Sequence, residues 1–399
     1  MRKRLGGLSV VVALCACGVG GNAKDPTFVQ RDSAGVRIVE SHAPAWSASG
    51  VWRVSPAPVL RIGVVEGDPH DHFFRIAGAK RLTSGEIVVA DGGSREIRWY
   101  DGAGRFLRSV GGPGEGPGEY RWLGGLVGLP GDSILAKDPQ RHRVSVYDPS
   151  GRLIRSWVIQ PLRTYVMPPP IGRVRDGRFI AMTEGQSSSP YGYVRYQALL
   201  VRYQDSAVVD TIAQVAGSEA YYVPCPTHPN AICNYAPLFA LQIHAAVSGD
   251  RIAIGNGDEY EVSVFDPGGA LSAVYRRVIP RAKVPETWVT TLIDSLVGMQ
   301  RAQDQPAVRR ALEDVPRREY VPAYTDLLFD RLGCLWVART IGPGDATRPW
   351  DIFDTRGRLL GTVTLPTALR VTQIDDEYIL GVQVDANQVE FVVLYRLTR

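Results

Sequence analysis

Ala90-Asp91-Gly92-Gly93-Ser94-Arg95-Glu96-Ile97-Arg98-Trp99-Tyr100-Asp101-Gly102-Ala103-Gly104-Arg105 recurs in kind as Lys137-Asp138-Pro139-Gln140-Arg141-His142-Arg143-Val144-Ser145-Val146-Tyr147-Asp148-Pro149-Ser150-Gly151-Arg152. The two stretches align without a gap, so Asp91 matches Asp138, Ile97 matches Val144, Tyr100 matches Tyr147, Asp101 matches Asp148 and Gly104 matches Gly151. A supersecondary unit that recurs at this length denotes a repeat architecture, in which neighbouring copies bury each other's apolar faces. The same register finds a third copy at 256–269, ending Val264-Phe265-Asp266-Pro267-Gly268-Gly269, and a fourth at Ile352-Phe353-Asp354-Thr355-Arg356-Gly357.

In the first copy, 77–82, 86–90, 97–100 and 106–110 read as strands, with turns at Thr83-Ser84-Gly85 and Gly102-Ala103-Gly104. The Asp-x-x-Gly pattern places an acceptor at the first turn position and a residue able to turn left-handed at the last. Four antiparallel strands at this spacing make one propeller blade. The template lays blades at 76–110, 126–158, 171–215, 244–279, 324–364 and 369–399, an all-β, six-bladed β-propeller. The last blade has three strands of its own, and the segment from Trp52-Arg53-Val54 to Leu60-Arg61-Ile62 is expected to supply the fourth and close the ring, protecting both edges. Arg37-Ile38-Val39-Glu40 either joins this closure or packs outside it. Two stretches interrupt the blades. Residues 216–243 contain a cysteine loop, from Tyr221 to Tyr235, too rich in Pro and Asn to be regular structure, and 281–323 read as a helical insertion of two helices opening near Pro285 and Pro306. Their apolar stripes, Trp288, Val289, Leu292, Ile293, Leu296 and Met299, then Val308, Ala311, Leu312 and Val315, are expected to bury against a propeller face as packing or as a lid.

Ring-shaped β architectures take a chain of 399 residues as one unit, and 45% hydrophobic content suffices for its core. The net charge is +4, and no Lys/Arg run follows Arg4, so the pattern of a nucleic-acid binder is missing. Met1-Arg2-Lys3-Arg4 and the apolar run from Leu8 to Leu14 form a secretory signal too short to span a bilayer. Leu14-Cys15-Ala16-Cys17 resembles a bacterial lipobox, which makes 1–17 a signal peptide with Cys17 as the lipidated residue; cleavage after Ala23 is the alternative. Residues 18–30 then form a flexible tether and 31–399 a single domain, expected to be a monomer. In an oxidising compartment Cys225 and Cys233 are expected to pair as a disulfide, since a Cys/His metal site using His228 lacks a second ligand pair. Cys334, in an apolar run, reads as a buried small hydrophobe.

Asp32-Ser33-Ala34-Gly35-Val36-Arg37-Ile38-Val39, Ile87-Val88-Val89-Ala90-Asp91 with Ser94-Arg95-Glu96-Ile97, Gly114-Glu115-Gly116-Pro117-Gly118-Glu119-Tyr120 and Asp330-Arg331-Leu332-Gly333-Cys334-Leu335-Trp336-Val337 carry a family likeness. Over residues 30–399 the chain resembles the six-bladed β-propellers of the NHL-repeat kind, and closely the exported or lipid-anchored propeller proteins of bacteria. The resemblance implies a place on the periplasmic side of the outer membrane or at the cell surface, and Gly18 after Cys17 agrees with the outer membrane under the enterobacterial sorting rule. Related metal-dependent propellers, the gluconolactonase and paraoxonase kind and the amidating lyases, hold a cation with inward-facing carboxylate, Asn or His side chains; their ligand sets find no residue-by-residue match here.

In a propeller, the inter-blade connections and the loops joining second to third strands emerge on one face around the channel. That face is expected to collect His70, His72, Asp91, Arg95, Glu115, Glu119, Asp138, Arg141 and His142, with Tyr221 and Tyr222 beside the cysteine loop. His70-Asp71-His72 is the densest group of metal-binding residue types, so calcium or another divalent cation is a candidate cofactor, although alternate side chains of an extended segment point to opposite sides. Asp91, Asp138 and Asn256 end second strands and read equally as turn caps. Gly112–Gly118 has the glycines of a phosphate cradle but no following helix, and its prolines remove donors, so it reads as a blade connection. No Gly-x-Ser-x-Gly, His-Glu-x-x-His or Walker-type loop occurs. The expectation is a non-catalytic binding or scaffold propeller for a protein, peptide or glycan, anchored to a membrane by its lipid; the alternative is a metal-dependent hydrolase or lyase.

Overall fold

The computed structural model describes residues 27–46, 51–160, 170–185 and 191–399. The proposed signal, lipidation site Cys17 and most of the tether lie outside these residues. The described residues form six sheets, here called blades 1 to 6. Blade 1 comprises Ile76–Arg81, Ile87–Asp91, Glu96–Tyr100 and Phe106–Gly111, and blade 2 comprises Leu126–Gly128, Ile134–Asp138, Arg143–Tyr147 and Leu153–Val158. Blade 3 opens with Pro170–Arg173 and Phe179–Glu184, blade 4 with His244–Ser248 and Arg251–Gly255, blade 5 with Tyr324–Phe329 and Leu335–Arg339, and blade 6 with Leu369–Ile374 and Tyr378–Val384.

The two-residue period of each strand determines how the blades pack. In Ile87–Asp91, Val88 and Ala90 pack against blade 2, whereas Ile87 and Val89 pack against blade 6. Leu335 and Val337 likewise face blade 4, and Trp336 and Ala338 face blade 6. These central strands are buried on both faces, so they read as continuous apolar runs rather than alternations. Each fully buried Val or Ile contributes about 1.5–3 kcal/mol. Six such clusters link blades 1 to 2, 2 to 3, 3 to 4, 4 to 5, 5 to 6 and 6 back to 1, which closes the ring of a β-propeller.

The repeated Asp-x-x-Gly turn forms as its sequence demands. Asp101 accepts from the backbone N–H of Ala103 and Arg105 at 2.9 Å, and Gly104 takes a φ of 82°. Asp148 with Gly151, Asp266 with Gly269 and Asp354 with Gly357 build the same turn in blades 2, 4 and 5.

The N-terminal segment does supply the outer edge of blade 6: Arg53–Val54 and Leu60–Ile62 both pair antiparallel with Glu390–Thr398. Upstream, Phe28–Ser33 and Val36–Ser41 form a hairpin that packs outside the closure, its second strand pairing parallel with Leu271–Arg277 of blade 4. Between these points Ala45 and Trp46 donate backbone N–H to Leu359 and Leu360 of blade 5, so the segment spans three blades like a belt.

The expected irregular loop within 216–243 is a correction. Blade 3 continues far past its template in Gly192–Gln204 and Ala207–Cys225, and His228–Tyr235 pairs with the latter as a fifth strand. Long pairing across the neighbouring strand overrides the weak local propensity of Pro and Asn. The Cys225–Cys233 disulfide forms near the hairpin tip, and Cys334 is buried.

Helices α1 (Glu286–Gly298) and α2 (Gln305–Glu313) occupy the second insertion, with Pro285 as N-cap of the first. Their buried stripe is Val289, Ile293 and Val297 with Val308 and Leu312, so Val297 takes the place expected for Met299, which is exposed. The stripe packs not on a propeller face but on Leu238, Phe239, Tyr221 and Tyr235, so the two insertions bury each other. No helix among the described residues is long and apolar enough to cross a membrane.

Candidate functional site

Most of the polar residues singled out on the loop face already serve the backbone. Asp91 accepts from the N–H of Phe74 at 2.9 Å and of Gly93 and Ser94 at 3.3 Å, and it pairs with Arg98. Asp138 accepts from the N–H of Arg121, Gln140 and Arg141. Arg95 and His142 occupy the matching left-handed position of the two turns, with φ of 63° and 51°, and their carbonyls accept from Gly112 and Ile159. Glu119 accepts from the N–H of Glu115 and Gly116 and so caps the glycine-rich connection, while Glu115 pairs with Arg141. These are turn-forming roles, and they leave few free ligands.

The His70-Asp71-His72 group does not converge either. The His70 ring stacks on Phe106 with centroids 3.8 Å apart, and the carbonyls of His70 and His72 receive the Arg98 guanidinium. His72 is exposed. Burial and the charge of Asp68 raise the pKa of Asp71, one of whose carboxylate oxygens is buried without a partner. Among the described residues no three His, Cys, Asp or Glu side chains group closely enough to hold a metal ion. Tyr221 belongs to the helix-packing cluster, and the Tyr222 hydroxyl meets that of Tyr196, so neither tyrosine offers a free platform.

A set of residues that sequence reading missed surrounds a cavity of about 600 Å³ between blades 4 and 5. Trp288 of α1 lines it together with Val278, Ile279, Pro280, Val321 and Pro322 from the two ends of the insertion. Its charged lining is almost fully paired. Arg276 binds Glu40 and Glu261, Arg281 binds Asp258 and Glu259, and Arg277 binds the wholly buried Asp351, which also accepts from Tyr260 at 2.6 Å. Burial, reinforced by the charge of Asp351, holds the Tyr260 phenol well above its ordinary pKa, so it stays a donor. The side chain of Arg339, at the end of the second strand of blade 5, has neither ion pair nor hydrogen bond among the described residues, and the hydroxyl of Thr340 beside it is buried without a partner there. An aliphatic wall with one unpaired guanidinium matches an apolar ligand group carrying a carboxylate.

The insertion is clamped over this side of the ring. Glu219, 3% exposed, accepts from Tyr193, from the N–H of Leu241 and from Arg318, which also pairs with Asp258. One arginine thereby ties the blade 3 arm, the helical insertion and blade 4 together. Individually, Glu219, Asp258 and Arg318 showed no motif, because their sequence separations are large.

No family model and no curated protein matches the chain. Several solved structures do. A member of the duf4221 family from Bacteroides vulgatus has 11% identity and a TM-score of 0.48, covering 87% of this chain and 99% of its own. A Bacteroides fragilis protein described as exported has 11% identity and a TM-score of 0.45, covering 90% of this chain and 99% of its own. A gluconolactonase from Xanthomonas campestris has 11% identity and a TM-score of 0.42, covering 86% and 100%. At this level of likeness none of them assigns an activity to the present chain.

Proposed function

We propose that the protein is an exported, lipid-anchored, non-catalytic binding propeller that holds a peptide in the cavity between blades 4 and 5. The observation that carries this reading is the unpaired Arg339 beneath an aliphatic and Trp288 wall, in a site whose other arginines each have a carboxylate. Valine, isoleucine and proline suit an aliphatic side chain better than sugar hydroxyls, and Arg339 suits an acidic side chain or a chain-terminal carboxylate next to it. Export and the anchor rest on the N-terminal pattern ending at Cys17.

Selection of a displayed random-peptide library on the purified protein tests this. Enriched peptides should pair an aliphatic residue with Asp, Glu or a free C-terminus, and Arg339→Ala should weaken them by about tenfold or more. Enrichment that survives Arg339→Ala would reject the site. A library that yields nothing, beside a glycan panel that does bind, would replace the ligand class.

A further inference from the structure

The chain contains only five lysines, Lys3, Lys24, Lys80, Lys137 and Lys283, against a large excess of arginine. Lys80 and Lys137 both belong to the inner part of the ring. Lys80 stands on the first strand of blade 1, and its ammonium donates to the carbonyl of Thr372 in the first strand of blade 6, 2.8 Å away. Lys137 stands on the second strand of blade 2 and reaches the carbonyl of Pro170, where blade 3 begins, at 3.4 Å. Gly125, just before the first strand of blade 2, makes room for the second: a Cβ there would lie 3.2 Å from Lys137 Cε.

Among the described residues, carbonyl oxygens are the only partners of these two ammonium groups. Other inner cations do better. Arg81 pairs with Asp375, Arg399 with Asp330, and Arg348 has Asp326 beside it. Arg331, at the mouth, donates to the carbonyl of Arg81 and, like the lysines, has no carboxylate partner among the described residues. Lys80, Arg331 and the ends of the first strands of all six blades surround a cavity of about 550 Å³. Desolvation lowers the Lys80 pKa to about 8, and the charges of Lys137 and Arg331 push in the same direction. Unpaired, desolvated cations that repel one another are costly, and a bound anion relieves that cost.

The fold itself does not require them. In the gapless register that matches Asp91 with Asp138 and Ile87 with Ile134, Lys80 falls on Val127 and Lys137 falls on Ala90. Each blade therefore carries an apolar residue where its twin carries a lysine. A departure from a repeat that lowers stability locally is the signature expected of a functional site. Lysine brings to the channel a compact charge on a flexible stem.

We propose that the central channel is an oxyanion site, in which Lys80 and Arg331 hold a phosphate or a dicarboxylate and the nearby Lys137, off the cavity's lining, adds its charge. This site is separate from the cavity under the helical insertion and does not depend on the peptide reading.

Isothermal titration of the purified protein with inorganic phosphate, and in parallel with malonate, tests the proposal. One saturable site at about 1 mM or tighter is expected for at least one of the two anions. The arm that binds distinguishes a phosphate from a carboxylate ligand. Lys80→Met and Lys137→Met should each weaken that binding by about tenfold or more, with Lys283→Met unchanged as the control. Melting of the unsubstituted protein in phosphate against chloride at equal ionic strength gives a second readout, and an upward shift is expected. Absence of binding by both anions, or equal binding in the two channel variants, would overturn the proposal.

Discussion

Blades 1 and 2 are near-copies, and the contrast between two adjacent residues in blade 2 is instructive. Asp138 has three backbone donors and is buried to 1% exposure, while Lys137 beside it has one long contact to a carbonyl. In blade 1 the equivalent pair is Asp91, just as fully bonded, and Ala90, sealed against blade 2. The aspartate is repeated because the turn needs its oxygens. The lysine is not repeated, because no part of the blade needs it. Residues that recur across blades therefore report folding, and those that break the repeat at a channel wall report what the ring holds.

The largest effect should come from carrying the blade 2 residue into blade 1. Ala90→Lys forces an ammonium into a fully buried apolar contact and should cost on the order of 4 kcal/mol, read from the midpoint of urea unfolding. A loss below that of an ordinary surface substitution would break the comparison, since it would mean that both positions open equally to the channel. Next in size, Asp138→Ala leaves the N–H groups of Arg121, Gln140 and Arg141 without their acceptor and should cost about 2–3 kcal/mol by the same measurement.

The smallest change has the opposite sign. Lys80→Met should raise stability at pH 7 by about 1–2 kcal/mol in the absence of anion, a figure reduced for the solvent that reaches the channel. The sign follows from the folded pKa of about 8 lying below the unfolded 10.5. Between those values the unfolded chain binds the extra proton, so the unsubstituted protein gains stability as pH rises. The advantage of the variant should therefore be fully present below pH 8 and shrink towards pH 10.5, a trend that paired melting curves would reveal. A constant advantage across that range would remove charge as its cause.

What could be read in advance was local. Strands, Asp-x-x-Gly turns and both helices depend on neighbours within a few residues, and so do the bonds of Asp91 to Gly93 and Ser94 and of Asp138 to Gln140 and Arg141. The cysteine hairpin was misjudged because its strands exist only by pairing with the long arm of blade 3. Met299 was placed on the buried stripe and Val297 left off it because helical spacing defines a face only to within one residue at its edge. His70 attracted attention for its residue type, yet its ring is spent on Phe106, a contact across the sequence that no spacing rule anticipates. The channel lysines did leave a sequence signal, namely Lys80 against Val127 and Lys137 against Ala90 in the repeat alignment.

The sequence by itself determined the repeating strand-and-turn unit, the supply of a closing strand from the N-terminal segment and the pairing of two nearby cysteines. Each follows from backbone geometry, hydrophobic period or short chain separation. Tertiary structure alone decided that the N-terminal hairpin docks parallel on blade 4, that the insertions bury each other, and that Arg339, Lys80 and Lys137 meet no carboxylate among the described residues. Partnership between charges depends on which blades the closed ring brings side by side, and that information appears only when every blade is in place.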